Sequence, residues 1–240
     1  MSHTDPLFSL AGKTALVTGG TNGIGAMIAR GLVRRGVKTY ISGRDAARTT
    51  AFAEALSAEG GTCIGLAAEL SAEDGPAALA AQLSATETRL DLLVNNAGAN
   101  GPGSLAAMSM ADWDMVMNVN VRAAFFLINL GSIGGLHIPN WEAHAYNTSK
   151  AAIHHLTRSL CKALGPDRIT VNAIAPGPFP SRLTDTDSDA VKKSVATYIP
   201  LGRPGSAQDV EGLVVFLASR AGAYVNGATI PLDGGYVAAL

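Results

Sequence analysis

Tyr146 and Lys150 stand four residues apart in the segment Tyr146-Asn147-Thr148-Ser149-Lys150. On a helix this spacing puts both side chains on one face. A free tyrosine has a pKa of about 10 and is a poor proton-transfer group at neutral pH. A neighbouring ammonium favours the phenolate, so the pair makes chemical sense as a proton-transfer device. A second kind of chemistry is written in Thr18-Gly19-Gly20-Thr21-Asn22-Gly23-Ile24-Gly25. Glycines let a backbone turn sharply and approach a pyrophosphate, and a following helix adds free N–H groups and a favourable dipole. Gly12-Lys13-Thr14 resembles the end of a P-loop, but Leu7 stands where its first glycine belongs.

These residues need elements to hold them. Apolar runs alternate with helix-period segments. Thr14–Thr18, Lys38–Ile41, Thr62–Leu66 and Leu92–Val94 read as strands, and Ile24–Arg35, Ala46–Ala58 and Ala72–Ser84 as helices. Later come helices near Trp113–Leu127 and through Ala151–Leu164, and strands at Ile128–Ser132 and Ile169–Ala175. Such alternation predicts an α/β fold with a doubly wound parallel sheet and helices on both faces. The glycine loop falls between the first strand and the first helix, where a phosphate cradle must be. The second strand runs into Ser42-Gly43-Arg44. A site for NAD would place a carboxylate here; Gly43 has none, and Arg44 offers a planar cation suited to a 2′-phosphate.

The 240 residues suit one domain over 1–240, with a turn-rich acidic stretch at 176–189 and a substrate lid at about 178–200. The formal net charge of -1 gives no reason to expect a nucleic-acid partner or an anionic membrane. No apolar run is long enough to span a bilayer, and the first dozen residues lack the pattern of a secretory signal. A cytoplasmic setting is expected, with Cys63 and Cys161 as buried thiols. His137, His144, His154 and His155 match no zinc-ligand spacing and read as surface or interface residues, with no metal expected. Trp141 and Phe179 either line an apolar pocket or belong to the core.

The chain resembles the short-chain dehydrogenase/reductase family over essentially its whole length. Four marks occur in family order: Thr18–Gly25, then Asn95-Asn96-Ala97-Gly98, then Tyr146 with Lys150, then Pro176-Gly177. FSLAG, ALVTGG, INLGSIGG, NAIAPGPFPSR and IPLDGG are similar to segments of the NADPH-dependent β-ketoacyl and carbonyl reductases of rhamnolipid-pathway type. The resemblance implies a seven-stranded Rossmann-type sheet, NADP(H) as cofactor and a homotetramer. The implied activity is reduction of a ketone or β-ketoacyl carbonyl, on a small apolar substrate, to a secondary alcohol. An oxidative alcohol dehydrogenase or a non-catalytic NADP-binding regulatory protein are the alternatives.

The resemblance also implies roles. Tyr146 would be the general acid, Lys150 would lower its pKa and hold the nicotinamide ribose, and Ser132 would hydrogen-bond the substrate oxygen. Asn120 would anchor a water in the proton relay. Cofactor contacts are implied for Gly19, Thr21, Asn22, Gly23, Ile24, Gly25, Arg44, Glu69, Leu70, Asn95, Ala97, Gly98, Pro176, Gly177, Phe179 and Ser181. One departure concerns the chain path. Between Asn120 and the strand at Ile128–Ser132 only Val121–Leu127 remain. A helix descending at about 1.5 Å per residue and a strand climbing at about 3.3 Å per residue leave no residue for a turn. The arithmetic predicts that a segment is missing between roughly Phe126 and Asn129. A shorter gap of the same kind is expected near Arg182–Thr184.

Overall fold

Thr14–Thr18 forms β1, and its four C-terminal residues are buried, as an apolar run covered on both faces must be. The computed structural model describes residues 5–102, 104, 107–121, 128–138, 142–181 and 184–239. Both predicted missing segments, between Phe126 and Asn129 and near Arg182–Thr184, fall on or beside positions outside the described residues. With β2 (Lys38–Gly43), β3 (Cys63–Ala67), β4 (Leu92–Asn95), β5 (Ile128–Leu130), β6 (Asn172–Pro176) and β7 (Thr229–Leu232), β1 forms one sheet in the order β3-β2-β1-β4-β5-β6-β7. The chain divides into two compact units, Met1–Asn96 with Ala207–Asn226 and Ala97–Ser206 with Gly227–Leu240.

In the first unit β1 pairs in parallel with β2 (Lys38–Gly43) and β4 (Leu92–Asn95), and β2 with β3 (Cys63–Ala67). Helices α1 (Gly23–Val33), α2 (Ala46–Ala58), α3 (Gly75–Ser84) and α7 (Ala207–Ala218) complete it. Val17, Ile28, Leu32, Tyr40, Ile41, Leu56 and Val94 fill the core. The α3 helix starts three residues later than the periodicity predicts, because Gly75 and Pro76 open it. The returning helix α7 belongs to this unit by contact. Glu211 occupies the space that a Cβ on Gly31 of α1 would need, 2.4 Å from its Cγ, and pairs with Arg35 at 3.2 Å.

In the second unit β6 (Asn172–Pro176) lies between β5 (Ile128–Leu130) and β7 (Thr229–Leu232), again parallel. All five residues of β6 are buried. The sequence predicted this strand from Ile169. Instead a 3₁₀ turn at Gly165–Asp167 and a left-handed Arg168 (φ 61°) delay it. Helices α4 (Met110–Asn120), α5 (His144–Leu164) and α6 (Asp189–Tyr198) belong to the same unit. A capping box of Ser109 and Asp112 starts α4. The described part of α4 ends at Asn120, short of the predicted Leu127; residues 122–127 lie outside the described set. The stretch expected as a lid carries α6, whose Val195 buries with Ile199, Ile133 and Tyr236 in one apolar cluster.

Candidate active site

Helix α5 carries the proton-transfer pair. Its helical spacing buries Lys150, Ile153, His154, Thr157 and Leu160 along one side. Tyr146, one turn before Lys150, is partly buried. Burial pushes its phenol above the usual tyrosine range, and a side-chain hydrogen bond with Ser132 pulls the other way with less effect. The Lys150 ammonium lies 5.6 Å from the Tyr146 ring centroid and donates to the Leu130 carbonyl at 2.7 Å. Burial pushes Lys150 down to about 8. Desolvation outweighs the Ser132 hydrogen bond, so the net direction for the phenol is upward.

Ser132 follows β5 and caps a short 3₁₀ turn, Ile133–Gly135, by accepting from the Gly134 N–H at 3.1 Å. The hydroxyl thus both caps its own turn and meets Tyr146. Asn120, the last residue of α4, is buried and fully engaged. Its Oδ1 accepts from the Ala99 N–H at 2.7 Å, and its Nδ2 donates to the Ala99 carbonyl and to Ser149 Oγ, both at 2.9 Å. Ser149 Oγ in turn donates to the Tyr146 carbonyl at 2.7 Å. Asn120 therefore ties the segment after β4 to the first turns of α5, where sequence reasoning gave it a water. Ser149 was not singled out, although its place inside the Tyr146–Lys150 span was the available signal. Asn120, Ser132, Tyr146 and Lys150 all belong to the second unit.

The first unit carries the cradle. Gly19 and Gly23 adopt positive φ (63° and 52°), which only glycine takes freely. Asn22 precedes α1 but makes no capping hydrogen bond, so the first N–H groups of that helix are not taken by its side chain. Asn96 braces the loop by donating to the carbonyls of Thr18 (2.9 Å) and Gly19 (3.0 Å). A Cβ on Gly25 would sit 2.3 Å from that Asn96 amide nitrogen and 2.5 Å from the Gly19 carbonyl oxygen. Thr21 and Ile24 lie in the same loop and first turn, half-buried. A Cβ on Gly43 would meet Thr49 Oγ1 at 2.5 Å, so no carboxylate fits there without displacement. Arg44 is exposed beside it. A second cation, Arg48, donates to Thr21 Oγ1 at 3.1 Å. Sequence reasoning missed Arg48, one helical turn from Arg44. These features fit a dinucleotide whose ribose carries a phosphate.

The remaining predicted contacts vary. Glu69 accepts from the Ser71 N–H and hydroxyl, which hold its carboxyl below the usual range, and Leu70 is buried. Asn95 is buried at the end of β4, and Ala97 and Gly98 follow it with increasing exposure. Pro176 ends β6, and Gly177 donates to the Leu232 carbonyl at 3.0 Å. Ser181 Oγ accepts from the Thr184 N–H at 3.1 Å. Phe179 is buried, with its ring 2.2 Å from where a Cβ on Gly205 would be. Trp141 lies outside the described residues.

Two expectations need correction. Cys63 is buried, its thiol pushed up to about 12 by desolvation, but Cys161 is only partly buried. His144 and His155 are exposed and His137 lies edge-on to Tyr236 at 6.2 Å, whereas His154 is buried at 2% exposure. Adjacent helical residues face different ways, and the sequence did not reveal which of the pair turned inward. Among the described residues no helix is long and apolar enough to cross a membrane.

Comparison with known proteins gives two family matches. Residues 13–130 match the short chain dehydrogenase model, and residues 126–237 match the model described as enoyl-(acyl carrier protein) reductase. The chain is 42% identical to the rhamnolipids biosynthesis 3-oxoacyl-[acyl-carrier-protein] reductase of Pseudomonas aeruginosa, over 96% of this chain and 98% of the relative. It is 36% identical to the 2-dehydro-3-deoxy-D-gluconate 5-dehydrogenase of Dickeya dadantii, over 96% and 98%. Among solved structures, the Pseudomonas aeruginosa RhlG/NADP active-site complex superimposes with a TM-score of 0.91 at 40% identity, covering 98% of this chain and 100% of that one. The first alignment runs over 254 positions, more than the 240 residues here. Residues of that relative inside the aligned span therefore have no counterpart in this chain.

Proposed function

The chain belongs to the short-chain dehydrogenase/reductase family, and on that premise we propose that it is an NADP-dependent reductase of ketone or β-ketoacyl carbonyls. The observation that carries the reading is the Tyr146 phenol hydrogen-bonded to Ser132, with the Lys150 ammonium 5.6 Å from its ring centroid. Reduction needs an acid at the carbonyl oxygen; oxidation needs a base there. NADPH, when bound, would supply the hydride for the carbonyl carbon. Tyr146 Oη then gives its proton to the oxygen, which becomes the secondary alcohol. Ser132 Oγ donates a hydrogen bond to the same oxygen and stabilises its growing charge. Lys150 supplies a fixed positive charge beside the phenol while it releases its proton. Asn120 holds the start of α5 through Ser149, and so fixes where Tyr146 stands.

Gly19, Thr21, Asn22, Gly23, Ile24 and Gly25 would hold the pyrophosphate, and Arg44 the 2′-phosphate. The similarity to a reductase of acyl-carrier-bound substrates favours a β-ketoacyl thioester, while the similarity to a 2-dehydro-3-deoxy-D-gluconate 5-dehydrogenase keeps the oxidative direction in play. The decisive experiment follows NADPH oxidation with acyl thioesters, free ketones and cyclic ketones at fixed cofactor. Turnover of none of them, with NADP bound, would leave the regulatory reading.

NADPH should be used with higher kcat/KM than NADH. Arg44→Ala should raise the NADPH KM about tenfold, the scale of one charge-assisted hydrogen bond, and barely change that of NADH. Equal kcat/KM for the two cofactors in the unaltered enzyme would refute the 2′-phosphate assignment.

We also propose a cytoplasmic homotetramer. Met110 and Met115 expose 74% and 37% of their surface on α4, apolar area that a neighbouring copy could cover. Light scattering at micromolar concentration should give four times the chain mass; monomer alone would contradict this.

A further inference from the structure

His154 lies one turn beyond Lys150, on the buried side of α5. Its ring fills a slot that two glycines keep open. A Cβ on Gly131 would fall 2.1 Å from Nε2, and one on Gly135 would fall 2.8 Å from Cε1. No other residue type could stand at either position without moving the imidazole or the helix. Between these glycines sits Ser132, whose backbone N–H donates to His154 Nε2 at 3.4 Å. The neighbouring backbone groups are also held. The Leu130 carbonyl accepts from Lys150, and the Gly131 N–H donates to the Ile174 carbonyl at 2.7 Å.

We infer that His154 is a positioning residue for the proposed reduction: its neutral imidazole, wedged between Gly131 and Gly135, sets Ser132 against Tyr146. This inference rests on the reductase reading for its kinetic consequence but not for its geometry. Accepting from Ser132 requires Nε2 to be bare, so the ring proton must be on Nδ1. Nδ1 is buried, with no hydrogen-bond partner among the described residues. Burial holds the imidazole below its usual pKa, the charges of Lys150 and Arg158 add to that, and the Gly135 backbone opposes them. Lys150 and Arg158 are on α5 itself. The segments Leu130–Gly135 and Asn172–Pro176 packed nearby contain no titratable side chain. Protonation would convert the acceptor into a donor facing the Ser132 N–H and expel the ring from its contact.

Nitrogen NMR of ¹⁵N-histidine-labelled protein reads the tautomer directly, without turnover. An unprotonated Nε2 with a protonated Nδ1 is expected; a proton on Nε2 would overturn the wedge even if the enzyme is an active reductase. His154→Leu fills the slot but accepts nothing, and its kcat should fall about 3–10-fold with the NADPH Kd unchanged. His154→Gln restores an acceptor and should recover most of the loss. In the unaltered enzyme kcat should decline on the acid side, below the usual histidine range, and His154→Gln should lack that decline. Full kcat in His154→Leu, or the same acid limb in His154→Gln, would refute the positioning role. If no carbonyl is reduced at all, the reductase reading fails while the tautomer still tests the wedge.

Discussion

Tyr146→Phe should lower kcat by about 10²–10⁴-fold, the usual contribution of a positioned general acid, while NADPH binds as before. The ring stays and only the transferable proton is lost. Its Ser132 hydrogen bond goes too, at a stability cost of about 0.5–1.5 kcal/mol. Three measurements belong together: steady-state turnover of the best carbonyl substrate, fluorescence titration with NADPH, and a thermal melt. A variant that binds NADPH, melts near the parent temperature and keeps more than a few per cent of kcat would remove Tyr146 from the role of acid.

Gly25→Val should abolish measurable NADPH binding and lower the melting temperature. A Cβ at position 25 would fall inside contact distance of the Asn96 amide and the Gly19 carbonyl oxygen. Neither is the far end of a flexible chain, since Asn96 is itself tied to Thr18 and Gly19. Overpacking of this kind costs about 1–3 kcal/mol, so the melt should move down by roughly 2–12 °C for a chain of this size. Gly212→Ala is the control. Nothing lies within 4 Å of a Cβ there, and alanine should be neutral or stabilising in that helix. Wild-type NADPH affinity in Gly25→Val would mean that the loop is only a turn.

Much of this was legible in the sequence because it depends on local rules. Thr14–Thr18 and Ala46–Ala58 have the bounds that their apolar runs and spacing imply. The glycine loop and the Tyr146–Lys150 pair carry their chemistry in residue type and spacing alone. What was hidden depends on tertiary partners. The side chain of Asn120 is spent on Ala99 and Ser149, two segments far from it in sequence. Arg48 reaches Thr21 only because α2 packs beside the loop. His154 and His155 are indistinguishable in a string of letters, and only the packing of α5 separates them. The burial of the Tyr146 phenol is likewise a tertiary property that a string of letters does not display.

The first unit is discontinuous, and this bears on how the protein is made. Residues up to Asn96 hold β1 to β4 and the glycine loop, but α7, which seats Glu211 beside Gly31 and Arg35, leaves the ribosome only much later. At the usual rate of about 5–20 residues per second, the interval is on the order of 5–20 s. Through that interval the nascent N-terminal half has one flank of α1 unshielded, and any chaperone that attends this chain would find it there. A stop codon just before Ala207 would leave every glycine of the cradle in place and still remove the helix that seats Glu211 beside Gly31 and Arg35.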